Sequence, residues 1–449
     1  MTARATTGAR TVGVGIIGLG TVGGGTARTI LRHRDEYLRA YGIDLNIARV
    51  CDMRPEREAE LGLAPGTLTS DWTELVADPA VDIVVELIGG EHPATEIFEA
   101  AFAAGKHVVT ANKALLGRHV ERLARLAAEH GVQLKCEAAA AGGIPIVNAL
   151  EHALTGNEIL TVAGILNGTT NYMLSRMETE GLDYDEVLAD AQRLGYAEAD
   201  PSADVDGFDA ASKVAILSSI AFHTRVTTDD VYMQGIRNVS AADIAQAREL
   251  GYRVKLLGVA RNTEKGVDVR VHPTMIPADH MLAGVSGAMN AVFVVGDAVG
   301  ETMFYGAGAG SFPTASAVVG DVLELADAIA RGEGPMPETE PYDRVLRLRS
   351  IEELETRYYI RLMVADRVGA LAPVVTAFAD AGISISTIHQ LKDGDGTRCS
   401  VVFLTHRALE RDVHAAIKIF EAMDEVEGVA SVIRIEDVNA WAAGVEKND

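Results

Sequence analysis

Residues 12–17 form a short apolar run that leads straight into Gly18-Leu-Gly20-Thr21-Val22-Gly23; a helical pattern to about residue 40 and a second apolar run over 45–51 follow. Strand, glycine turn, helix and strand in that order leave a chain few folds to choose from. A Gly-x-Gly-x-x-Gly string alone is weak evidence, because any strand-to-helix turn uses glycine. Between a strand and a helix it has the context of a dinucleotide site, where glycines permit a tight turn and let backbone amides approach a pyrophosphate at the helix N-terminus.

The alternation continues with a strand at 83–87, a helix at 95–104, a strand at 107–110, a helix at 118–129 and a strand at 133–136. Repeated strand-helix units predict an α/β fold with a Rossmann-type, doubly wound parallel sheet over residues 1–142. The strand ends Glu86-Leu-Ile-Gly-Gly and Thr110-Ala-Asn112-Lys113 open on the carboxyl edge, where such sheets bind ligands. Asp52 ends the second strand, where a carboxylate grips ribose hydroxyls. Arg54 and Arg57 follow it and suit a 2′-phosphate, so NADP is favoured over NAD.

After Cys136 the pattern changes to Glu137-Ala-Ala-Ala140-Ala-Gly142-Gly-Ile144, and a second, α+β domain is expected over 143–330, with strands near 254–259, 267–271 and 291–295. Residues 301–330 are expected to return to the nucleotide domain. They contain Gly306-Ala-Gly308-Ala-Gly310 before a helix, a second anion-friendly turn. Gly, Pro and Glu dominate from 331, giving a linker to 355. Residues 356–437 then read βαββαβ, a ferredoxin-like module with a hairpin turn at Asp393-Gly-Asp-Gly396, and 438–449 form a tail.

The stretch from Ala191 to Lys213 packs five carboxylates and one lysine around an Asp-Pro turn: Glu198, Asp200, Asp204, Asp206, Asp209 and Lys213. Residues 208–222 are apolar on nearly all sides, so they predict a buried helix that contains Lys213. A lone ammonium there needs a partner, and Asp209 stands four residues earlier on the same face. Asp206 and Asp209 also fit a capping box with Lys213 reaching outward, but caps leave Glu198, Asp204 and a buried lysine unexplained.

With 449 residues, 48% of them hydrophobic, the chain suits about three globular domains. A net charge of −24 argues against nucleic acid, whose phosphates need a basic patch. Three scattered cysteines and no signal-like or membrane-length apolar run point to the cytoplasm.

From Gly195-Tyr196-Ala-Glu198 through Asp-Pro, Asp204, Gly207 and Asp209 to Lys213, the chain resembles the signature of homoserine dehydrogenases. The glycine turn, Thr110-Ala-Asn-Lys113, Asn167-Gly168-Thr169-Thr-Asn171 and Gly-Ala-Gly-Ala-Gly follow in the expected order, and the resemblance spans about residues 11–340. The last module resembles an ACT domain, through Asp366-Arg367-Val-Gly369-Ala-Leu371 and Gly382-Ile-Ser-Ile. The resemblance implies reversible, NADP- or NAD-dependent reduction of aspartate 4-semialdehyde to homoserine in the branch that leads to threonine, methionine and isoleucine. Lys213 would be the proton donor and Asp209 its orienting partner. Glu198, Asp204, Lys113, Tyr196, Gly168 and Thr169 would bind substrate; Gly18, Gly20, Thr21, Val22, Gly23, Asp52, Arg54, Thr110, Lys113, Gly195, Gly306 and Gly308 would bind cofactor.

It also implies a monovalent cation, sodium, held at Glu137, Ala140, Gly142 and Ile144, and a middle domain that serves dimerisation as well as catalysis. A homodimer or homotetramer is expected. Threonine would act as effector at Asp366, Arg367, Gly369 and Leu371, where a helix N-terminus can take a carboxylate. Cutting the chain near Arg344 should then leave an active enzyme that threonine no longer inhibits. Two alternatives compete: a catalytically degenerate amino-acid sensor, and another semialdehyde dehydrogenase on the same fold.

Overall fold

In the computed structural model, residues 10–332, 342–391 and 396–443 are described. Strands β1 (Arg10–Ile17), β2 (Ile43–Cys51), β3 (Leu68–Thr69), β4 (Ile83–Glu86), β5 (His107–Thr110) and β6 (Leu134–Lys135) form a parallel sheet in the order β3-β2-β1-β4-β5-β6. Its two faces are dictated by alternation in β1. Val12, Val14 and Ile16 enter a core shared with Ala27 and Ile30 of helix Thr21–Tyr41 and with Val318, Val322 and Leu325 of helix Ser311–Arg331. Gly13 faces the other way, where a Cβ would lie 1.6 Å from the Ala80 carbonyl oxygen, so only glycine lets that segment close over the strand.

The parallel sheet matches the sequence reading, with differences at element ends. The helix expected at 118 begins at Lys113, because Asn112 caps it by accepting from the Leu115 amide at 3.1 Å. The short elements Arg57–Glu60, Leu68–Thr69 and Trp72–Ala77 escaped the periodicity argument, being too brief to show a period.

The second sheet holds β7 (Ile159–Ile165), β8 (Tyr232–Met233), β9 (Tyr252–Thr263), β10 (Gly266–Pro277), β11 (Met289–Gly296) and β12 (Gly300–Ala307). The C-terminal module adds β13 (Glu355–Ala365), β14 (Ile385–Gln390), β15 (Arg398–Thr405), β16 (Ala408–Leu409) and β17 (Val426–Ile435). Among the described residues the path is β12-β11-β7-β9-β10-β17-β13-β15-β14, with β8 on β10 and β16 on β13. Helix Phe208–Phe222 packs on β7, β9 and β10 and is buried along almost its whole length. Within the module, β17-β13-β15-β14 is antiparallel and encloses a core with helices Leu371–Asp380 and Glu410–Glu421. This is the expected βαββαβ arrangement; of its predicted hairpin turn, only Gly396 lies within the described residues.

Four expectations need correction. β12 stays in the second sheet, so the chain returns to the nucleotide domain with helix Ser311–Arg331 and not from residue 301. The segment after 341 is no free linker: Arg344 bridges to Thr224 and Leu348 to Val267. The tail docks, since Trp441 is buried against Phe293 and His280 and its carbonyl accepts from Thr161 Oγ1. Finally, β17 pairs in parallel with β10 at Thr274 with Arg434 and Met275 with Ile435. The module thus continues the second sheet, and removing it strips β10 of a neighbour.

Candidate active site

Helix Phe208–Phe222 carries the centre of the site. Gly207, at φ 94°, precedes it and serves as N-cap, while Asp206 turns away to Arg237 at 2.5 and 2.9 Å, so the capping-box alternative fails. Asp209 and Lys213 meet one turn apart: Lys213 Nζ donates to Asp209 Oδ2 at 2.8 Å and to the Leu166 carbonyl at 2.7 Å. Both side chains are buried. Lys113, at the start of helix Lys113–Glu129, reaches the other oxygen of Asp209 as an ion pair from a half-exposed position.

Asn167, the N-cap of helix Gly168–Glu180, accepts from the Thr170 amide and spends its own amide on Asp204 Oδ1 at 2.7 Å and Asp209 Oδ2 at 2.8 Å. One neutral side chain thereby bridges two acids, and the nearby charge of Asp209 adds to the upward push on Asp204.

Burial pushes the pKa values apart. Desolvation works against the Asp209 carboxylate, but Lys213 and Lys113 outweigh it and hold its carboxyl well below the usual range. Desolvation lowers the Lys213 amine below its ordinary value, with Asp209 opposing and Lys113 reinforcing. For Lys113, desolvation is overcome by Asp209, and the net shift is upward. Asp204 is raised by burial, against the Asn167 hydrogen bond.

Of the other residues expected at substrate, Glu198 is exposed with its carbonyl accepting from Gln192 Nε2, and Tyr196 is half-exposed with its ring 4.7 Å from Tyr172. Thr169 Oγ1 donates to the Tyr196 carbonyl at 2.8 Å, and Gly168 opens the helix beside Asn167. Gly195, at φ 77°, ends the turn after helix Tyr184–Arg193.

At the nucleotide turn, a Cβ on Gly23 would lie 1.8 Å from the Gly18 oxygen, whereas Gly20 faces open space. The first turn of the helix at Thr21 and Val22 has no side-chain cap, which leaves its amides directed outward, as a pyrophosphate requires. Asp52 accepts from the Leu19 amide at 2.7 Å and bidentately from Arg54, whose side chain is half-exposed; the arginine hydrogen bond draws the Asp52 carboxyl down to about 2. Arg57 turns inward to the Leu19 carbonyl and Glu60. Thr110 donates to Glu86, while Gly306 packs on Ile144 and Gly308 on Gly142.

At the expected cation position, both Glu137 oxygens accept amides, from Val147 at 2.9 Å and Asn148 at 2.7 Å, and the Ile144 carbonyl accepts from Ile146. Carboxylate and carbonyl oxygens are the donor chemistry that suits a hard cation, and the expected set would add the carbonyls of Ala140 and Gly142. In the C-terminal module, Gly369 at φ 87° leads through Ala370 into helix Leu371–Asp380, which has no side-chain cap. Arg367 pairs with Glu425 at 3.1 Å, and the Asp366 amide donates to Thr397.

Two contributors have no assigned role in the sequence reading, although it places Glu86 at a strand end on the carboxyl edge. The Leu166 carbonyl has no residue-type signal, since any residue offers one. Glu86 is fully buried and accepts from Thr110 Oγ1 and the amides of Ile88 and Gly89; an acid closing an apolar strand was its only visible mark.

A family model described as homoserine dehydrogenase matches residues 145–323, its NAD-binding domain model matches 18–137, and an ACT domain model matches 358–424. The homoserine dehydrogenase of Corynebacterium glutamicum is 46% identical over 416 residues, covering 91% of this chain and 92% of its own. That of Pseudomonas aeruginosa is 44% identical over 428 residues, covering 92% and 96%. Among solved structures, a homoserine dehydrogenase from Thiobacillus denitrificans superposes with a TM-score of 0.90 at 44% identity, covering 96% of this chain and 99% of that one. A hyperthermophilic archaeal homoserine dehydrogenase in complex with NADPH superposes with a TM-score of 0.61 at 27% identity, covering 70% and 97%.

Proposed function

This chain belongs to the homoserine dehydrogenase family, and we propose that it interconverts L-aspartate 4-semialdehyde and L-homoserine at the Lys213–Asp209 centre, with NADP as preferred cofactor. The bound nicotinamide supplies or accepts the hydride. When hydride reaches the aldehyde carbon, the oxygen must gain a proton, and in the reverse direction the hydroxyl must lose one. An ammonium has three donors; Lys213 spends one on Leu166 and one on Asp209, which leaves one for the substrate oxygen. That arrangement of Lys213 is the observation that carries the reading. Asp209 orients the amine and balances its charge. Lys113 is suited to the substrate carboxylate, and Glu198 and Asp204 to its ammonium, with Tyr196, Gly168 and Thr169 lining the same turn.

The half-exposed Arg54 beside Asp52 supports NADP, because it offers a guanidinium where Asp52 alone would favour NAD. The NADPH complex of the archaeal relative supports the same choice. Glu137 and the carbonyls of Ala140, Gly142 and Ile144 would hold sodium and fix the segment beside Gly308. Threonine is the proposed effector at Asp366, Arg367, Gly369 and Leu371, and the enzyme would serve threonine, methionine and isoleucine synthesis in the cytoplasm, where three buried cysteine thiols are at home. The edge strands β12 and β14, with Tyr305 exposed on the former, suit a homodimer or homotetramer.

The deciding experiment follows absorbance of the reduced nicotinamide with homoserine and each oxidised cofactor, with and without threonine. Turnover with NADP exceeding that with NAD is expected. Absence of turnover with both would favour the degenerate sensor.

A further inference from the structure

Asn290 lies on β11 opposite Gly306 of β12. Its side chain is completely buried, and among the described residues neither its Nδ2 nor its Oδ1 has a hydrogen-bond partner. Two backbone segments press on that amide. A Cβ on Gly308 would lie 2.0 Å from Asn290 Nδ2, and a Cβ on Gly168 would lie 3.4 Å from Asn290 Oδ1. On its far side Gly308 meets the segment after Glu137, since a Cβ on Gly142 would lie 2.3 Å from the Gly308 oxygen. The amide therefore stands between the glycine turn assigned to the cofactor and the turn whose Asn167 holds Asp204 and Asp209.

A buried amide without partners costs free energy, and an apolar side chain of the same size would avoid that cost. A native group left in that condition calls for an explanation, and a role in strain or catalysis is among those recognised. Hydride transfer depends steeply on the separation of its two carbons, so a group that sets the spacing between a cofactor turn and a substrate turn acts on the chemical step itself.

We propose that Asn290 is a positioning residue for hydride transfer, its amide bonding to the backbone of the Gly306–Gly310 turn and of the Asn167–Thr169 turn as they tighten around bound cofactor and substrate. This rests on the assignment of both turns given above. The amide has two donors and an acceptor, enough to serve both segments at once. Both faces require glycine, because a side chain at 308 would displace the amide and one at 168 would crowd it.

The test replaces Asn290 with leucine, which keeps the volume and removes the hydrogen bonding. Wild-type homoserine oxidation is measured first, and its absence would overturn the functional reading and not this one. For Asn290→Leu the melting temperature should be unchanged or higher and the cofactor Kd within about twofold, while kcat falls about tenfold or more. The primary deuterium isotope effect on kcat, measured with homoserine deuterated at its hydroxymethyl carbon, should rise as hydride transfer becomes rate-limiting. An unchanged kcat and isotope effect in a stable variant overturns the proposal, as does a loss of activity that only follows a loss of stability. If Asn290→Leu does not fold, Asn290→Ser is judged by the same isotope effect.

Discussion

Asp209 has one oxygen on Lys213 and the other on Lys113, so its charge governs the protonation of both amines. Burial alone would drive Lys213 toward the neutral form, and Asp209 opposes this. Asp209→Asn should therefore lower the Lys213 pKa further. In the reduction direction, the fall in kcat/KM with rising pH, which marks loss of the proton donor, should shift to lower pH. In homoserine oxidation, which needs the neutral amine, the rising limb should shift the same way. A pH–rate profile with an unmoved limb would count against the pairing. Lys213→Met should lose about 10²- to 10⁴-fold in kcat with circular dichroism and cofactor titration unchanged, because methionine suits an apolar helix. Near wild-type kcat would remove Lys213 from the mechanism. At the nucleotide turn, Arg54→Glu should weaken NADP far more than NAD; equal effects would leave Asp52 in charge of the pocket.

Helix ends, more than helix bodies, shape the site. Asn167 caps helix Gly168–Glu180 and with the same side chain ties Asp204 to Asp209. Asn167→Ala should cost about 1 kcal/mol as a lost cap, read as a lower melting temperature, together with a kcat loss that a cap elsewhere would not produce. The comparison is Ser240→Ala, which removes the cap of helix Ala241–Glu249 outside the site. Equal kcat in both variants would show that Asn167 only caps. Helix Phe208–Phe222 was legible to the residue, since an apolar run bounded by Gly207 and His223 has no other reading. The start of helix Lys113–Glu129 was not, because its first turn is set by the Asn112 cap and not by apolar spacing.

Across the molecule, the C-terminal module is fastened by buried charge as well as by strand pairing. Arg270 on β10 is bound by Asp268 and by Glu436 at 2.6 Å, all three buried. Ending the chain near 344 removes Glu436 and the β17 neighbour of β10, and breaking a buried pair in this way costs about 3–5 kcal/mol. The truncated enzyme should melt about 5 °C or more below the full chain, or fail to fold, contrary to the sequence expectation of an active fragment. A fragment with full activity and an unchanged melting temperature would show that the junction adds no stability. The same junction offers a route for regulation: Arg434 of β17 donates to Gln234 at 2.7 Å, and the next residue, Gly235, lies against the Val205 backbone beside Asp204 and Asp206. With threonine as the proposed effector, Gln234→Leu should therefore weaken its inhibition while calorimetry shows threonine binding within about threefold of the full enzyme. Parallel loss of binding and inhibition would place the effect in the effector site instead.

The main strand–helix alternation of the nucleotide domain, its parallel sheet, the βαββαβ module and the pairing of Asp209 with Lys213 were present in the sequence, because each depends on residues near one another in the chain: periodicity, glycine turns, i to i+4 spacing. The meeting of Lys113 with Asp209, the Leu166 carbonyl on Lys213, the burial of Glu86 and Asn290, the docking of Trp441 and the joining of β17 to β10 were not. Each is a contact between segments far apart in sequence, made by main-chain atoms or by side chains whose partners are chosen only when the two sheets and the long buried helix pack together. Local pattern carries the elements; which charges lose water, and which groups then neutralise them, is decided by the packing.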